Sequence, residues 1–84
     1  MLVNISNRIL DEDKLYKNIC EFEVMNNQKA YIFMNKETLG ELASSYGPLI
    51  YFQVAERGDG IISSYCGRRV YENEKLKFGD VEIR

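Results

Sequence analysis

Two cysteines, a run of three acidic residues and a glycine-flanked aspartate are the groups in this chain that could do chemistry. Cys66 stands just ahead of Arg68 and Arg69. Cations that close can depress a thiol's pKa and make it reactive. The chain has no histidine, so Cys66 lacks the imidazole that commonly serves as general base near neutral pH. A buried structural cysteine beside a turn accounts for it more simply. Asp11, Glu12 and Asp13 could bind a hard cation, but they lack the ligand spacing and turn glycine of a calcium loop. A helix N-terminus explains them better, because acidic groups there offset the dipole and cap orphan N–H groups. Gly58-Asp59-Gly60 is too short to cradle a phosphate, and no Lys-Ser/Thr pair follows it. Arg57-Gly58-Asp59 spells an integrin-type tripeptide without the signal peptide or disulfide framework of a secreted ligand. The expectation is a protein that is not an enzyme, with no cofactor and no metal.

A recognition set remains. Tyr51, Tyr65 and Tyr71 fall in predicted strands, and Arg68 and Arg69 lie beside them. Tyrosine and arginine are enriched in protein–protein hot spots, although tyrosine is also an ordinary sheet residue. If the chain has a partner-binding surface, the sheet face and loops of residues 51–71 are its expected place. Its candidate residues are Tyr51, Arg57, Asp59, Tyr65, Arg68, Arg69 and Tyr71. Tyr46 is assigned to the core by its place on a helical stripe.

The elements that must position these residues are centred on 28–47, QKAYIFMNKETLGELASSYG. Ala30 to Met34 is a short apolar run that suits a strand covered on both faces. Asn35 is a good N-cap and Glu37 sits in the first turn behind it. Leu39, Leu42, Ala43 and Tyr46 recur at helical spacing. Gly47 and Pro48 stop the helix. Upstream, residues 2–9 read as an edge strand or extended arm. Residues 12–25 read as a helix through Leu15, Ile19 and Phe22. Phe22 and Val24 also alternate, so a strand at 20–25 with a turn at 26–28 stays open. Downstream, 49–55 and 61–66 form a hairpin across the turn at 56–60. Gly67 marks a bulge or turn, 68–71 is another strand, and Val81 and Ile83 belong to a terminal one. The expected class is α+β, a single domain over 1–84 with four to five short, mostly antiparallel strands and two helices packed on them.

The formal net charge is −2 and the hydrophobic content 45%. That balance suits a globular chain and lacks the basic footprint of a typical nucleic-acid binder. No apolar run is long enough to span a bilayer, and the N-terminus lacks a signal peptide's basic and apolar regions. Two cysteines make no disulfide scaffold, and free thiols fit a reducing cytosol. A bacterial cytoplasmic location follows as the expectation, with a small core that self-association, as in a dimer, would help.

Three segments, DEDKLYKNI, AYIFMNKETLGEL and GRRVYENEKLKFGDVEI, follow one another in an order that resembles the peripheral domain of HK97-type phage major capsid proteins. Met34-Asn35-Lys36-Glu37-Thr38 is similar to that family's strand-to-helix signature, Gly67-Arg68-Arg69-Val70 to its G-x-P-V, and Gly79-Asp80 to its G-D. Lys36 and Arg69 stand where the family has proline, and the chain lacks a capsid subunit's long arm. The resemblance implies a phage origin or a shared fold and carries no functional residues across. The leading expectation is a phage or mobile-element accessory protein that binds a host or phage protein, for example as an anti-CRISPR type inhibitor of a bacterial defence system. A self-assembling phage component with a capsid-like fold is the alternative.

Overall fold

The computed structural model describes residues 1–7, 10–46, 50–52 and 61–84. In order, the elements are β1 (Leu2–Asn4), α1 (Glu12–Asn26), β2 (Ile32–Met34), α2 (Lys36–Tyr46), β3 (Ile50–Phe52), β4 (Ile61–Tyr65), β5 (Arg68–Glu72) and β6 (Asp80–Ile83). Gly47, Pro48 and the turn at 56–60 lie outside the described residues.

Asp11 starts α1: its side chain accepts the Lys14 N–H at 3.0 Å, the usual bond of an N-cap. The helix stops at Asn27, whose left-handed φ of 50° is one that asparagine tolerates. The strand-and-turn alternative for residues 20–28 is thereby corrected to helix. The physical reason is burial at helical spacing, since Leu15 and Ile19 are sealed in the core while Val24 is 82% exposed.

Asn35 caps α2 and does more. Its Oδ1 accepts from both the Thr38 N–H and the Thr38 hydroxyl, each at 2.7 Å. Its Nδ2 donates to the Leu76 carbonyl at 3.1 Å. The buried Thr38 hydroxyl in turn accepts the Gly79 N–H at 3.0 Å. The Met34–Thr38 and Gly79-Asp80 segments, far apart in sequence, therefore touch, and this knot ties the start of α2 to the loop before β6.

The six strands run in the order β1-β6-β2-β5-β4-β3. Only β2 and β5 pair in parallel; the other four pairings are antiparallel. The α+β class is as expected, and the N-terminal segment supplies a sixth strand at the sheet edge. Val3, Val81, Ile83, Ile32, Met34, Val70 and Tyr65 form a buried sheet face. Leu15, Ile19, Leu39 and Leu42 join them in one core cluster, so both helices cover the same side. The expectation that the 30–34 strand is covered on both faces is corrected: Ile32 and Met34 are buried, but Tyr31 is exposed and Phe33 only partly buried. The reason is layer count, because two helices on one side leave nothing among the described residues to cover the other.

The β4–β5 connection shows why its residue types matter. Cys66 and Gly67 have φ of 48° and 80°, and Tyr65 pairs with Arg68 across them. Two left-handed residues in a two-residue loop match the right-handed twist of a hairpin. Glycine adopts that conformation freely, whereas a cysteine there is strained. Cys66→Asn is expected to raise stability by about 0.5–1 kcal/mol, because asparagine tolerates the left-handed region. A thermal melt should shift upward by a few degrees, on the order of 4–8 °C per kcal/mol for a domain of this size. An unchanged or lowered midpoint would remove the strain argument.

Candidate functional site

Residues alternate in direction along a strand, so the uncovered face carries the other half of each strand. Two rows cross it. In the first, Leu2, Glu82, Phe33 and Tyr71 stand at successive paired positions. In the second, Arg84 and Tyr31 exchange two backbone hydrogen bonds of 2.9 and 2.7 Å, while Ser64 pairs with both Arg69 and Tyr51.

The centre of this face is a stack. The Arg84 guanidinium lies 4.4 Å from the Phe33 ring centroid. Phe33 stacks on Tyr71 with centroids 5.2 Å apart and planes 18° from parallel. Tyr31 leans on Tyr71 at 6.3 Å and 45°. Strands β6 and β5 flank β2 on its two sides, so Arg84 and Tyr71 reach Phe33 from opposite neighbouring strands. Such contacts are worth about 0.5–1.5 kcal/mol each and hold the side chains in place before anything binds. Glu82 holds Arg84 at 2.7 Å, yet Arg84 stays 60% exposed. Aromatic rings, tyrosine hydroxyls and guanidinium groups are what this surface offers.

Of the residues expected at a binding surface, Arg69 and Tyr71 lie on this open face, Arg69 exposed and Tyr71 partly buried. Tyr51 takes a register position on it through its pairing with Ser64. Arg57 and Asp59 lie outside the described residues. Three expectations need correction. Tyr65 is 1% exposed, and its hydroxyl donates to the Glu12 carboxylate. Burial, reinforced by that carboxylate, pushes its pKa far up, so it is a core tyrosine that anchors α1. Arg68 has the same parity as Val70 and faces the helices. Its Nη2 and Nε donate to Glu23 at 2.5 and 3.1 Å, and its Nη1 donates to the Cys66 carbonyl at 3.0 Å. The bonds to Glu23 hold its pKa above the usual arginine value. Cys66, expected to be buried, is exposed, because it occupies the tip of the hairpin turn.

Tyr31, Phe33 and Arg84 were not among the expected site residues. The signal for them was present: once 31–34 and 80–84 are read as strands, Tyr31 and Phe33 share a parity, as do Glu82 and Arg84. Among the described residues no group of three or more His, Cys, Asp or Glu is placed to hold a metal ion. No described helix is long and apolar enough to cross a membrane. In comparisons with known proteins, no protein family, no curated protein and no solved structure matches this chain.

Proposed function

We propose that this protein acts by binding another protein through the uncovered face of its sheet, with no chemistry of its own. The observation that carries this reading is the prearranged Arg84–Phe33–Tyr71 stack, with Tyr31 against it, on a face that no described element covers. Aromatic and arginine side chains that are already held in place lose little freedom on binding, and they are the types that anchor interfaces. The partner class follows the phage reading: a bacterial host protein, of a defence system in the first instance, met by a small inhibitor of anti-CRISPR type.

The test is an affinity capture from bacterial lysate with tagged protein, beside the double variant Tyr71→Ala, Arg84→Ala. Loss of two hot-spot side chains is expected to cut recovery of the stoichiometric partner by about 30-fold or more. Equal recovery by variant and wild type would place the contact elsewhere on the molecule. Capture of further copies of the chain alone would make self-assembly the function of this face.

A further inference from the structure

One end of the open face carries two cations, Lys29 and Arg69, that form no ion pair among the described residues. A cleft of about 270 Å³ opens there, lined by Lys29, Ala30, Tyr31, Gly67 and Arg69. No carboxylate is among these residues, although the chain as a whole is net negative. Glu23 feels the Lys29 charge, but its oxygens are already committed to hydrogen bonds. Glu23 accepts from Arg68 at 2.5 and 3.1 Å with its two oxygens, and from the Ala30 N–H at 2.8 Å. That last bond fixes the backbone between the two residues that wall the cleft, Lys29 and Tyr31. The Lys29 ammonium lies 3.6 Å from where a side chain on Gly67 would begin, which puts it beside the β4–β5 turn. Arg69 sits two residues along from that turn, on the opposite face from its neighbour Arg68.

We propose that this cleft is an oxyanion site, and that its occupant is a side-chain carboxylate presented by the protein partner. The proposal rests on the open face being a partner-binding surface, and it names the chemistry the partner must bring. One point charge and one planar guanidinium match one or two carboxylates, and an arginine fork can take a carboxylate bidentately. Tyr31, which lines the cleft and is exposed, carries a hydroxyl that can donate as well. Charge complementarity of this kind sets orientation and specificity on the adjoining aromatic stack.

The experiment is an amide-resolved NMR titration of the whole chain at constant ionic strength. The probes are acetyl-Glu-Glu-amide, acetyl-Gln-Gln-amide and inorganic phosphate, run on wild type and on the variant Lys29→Gln, Arg69→Gln. Both substituted residues are exposed, and an unchanged thermal midpoint verifies that the variant is folded. The expected result is saturable shifts at the Tyr31, Gly67 and Arg69 amides with the Glu peptide, with a Kd on the order of millimolar. Binding should fall by about tenfold or more with the Gln peptide and again in the variant. Equal response to both peptides, no saturable shift, or a response to phosphate alone would each overturn the assignment. If those outcomes occur while Tyr71→Ala, Arg84→Ala still abolishes capture, the open face stands as the binding surface and only the carboxylate site fails.

Discussion

Gly79→Ala is expected to destabilise the protein by about 2–5 kcal/mol, the largest single effect foreseen here. Two costs add. Gly79 has a φ of 86°, where an L side chain costs about 1–2 kcal/mol. A β-carbon there would also fall 1.8 Å from the Ser6 Oγ and 3.1 Å from the Ser6 Cβ, and overpacking of that kind costs about 1–3 kcal/mol. The backbone cannot easily retreat. The Gly79 N–H is held by the Thr38 hydroxyl, and its carbonyl accepts the Ile5 N–H at 2.8 Å. Urea unfolding should show a lower midpoint with an unchanged slope. Adding Ser6→Gly should recover the steric part and leave the backbone part, so the double variant belongs between the two. A Gly79→Ala protein as stable as wild type would mean that this junction of β1, α2 and β6 is loose.

Glu23→Ala comes next, at about 2–3 kcal/mol. The Glu23 and Arg68 side chains are only 18% and 14% exposed. Removing the carboxylate strands the guanidinium and the Ala30 N–H. Bonds to charged groups are worth about 1.5–3 kcal/mol each at best, and removing one partner of a fully buried pair costs about 3–5; the residual exposure here scales that down. The effect depends on pH in a determined direction. The Arg68 bonds hold the Glu23 carboxyl below its ordinary pKa, against the opposing pull of burial. A carboxylate whose pKa is depressed on folding contributes stability above its unfolded pKa of about 4.3 and loses it as pH falls through the folded value. Wild type should therefore lose stability more steeply than Glu23→Ala below about pH 4.3, and the gap between them should narrow with acidification. Stability curves that run parallel from pH 7 to pH 3 would show that folding does not depress the Glu23 pKa.

The residues that shaped the resemblance to a capsid domain have a local structural explanation. Asn35 and Thr38 cap α2, and Gly79 donates to Thr38. A strand-to-helix cap locked to a glycine turn asks for those residue types whatever the protein does. The contact therefore accounts for the motif without deciding its ancestry.

Much of the fold was legible in the chain because its signals are short-range. Asp11 and Asn35 each act on an N–H three residues on, and Leu15, Ile19, Leu39 and Leu42 mark their helix faces by spacing alone. The strands of the C-terminal half announced themselves by alternation and by Gly67. The candidate site was legible only in part. Arg68 and Arg69 are the same residue type at adjacent positions, and the alternation says only that they point opposite ways. Which one meets Glu23 and which meets solvent depends on the side the helices take. That choice is non-local: it follows from pairing β2 with both β5 and β6, strands some 40 and 50 residues downstream in the sequence. The same placement buries Tyr65 against Glu12 and gathers Tyr31, Phe33, Tyr71 and Arg84 from three strands onto one uncovered face. Local chemistry set the elements, and the burial of a single shared core decided which of their faces no described element covers.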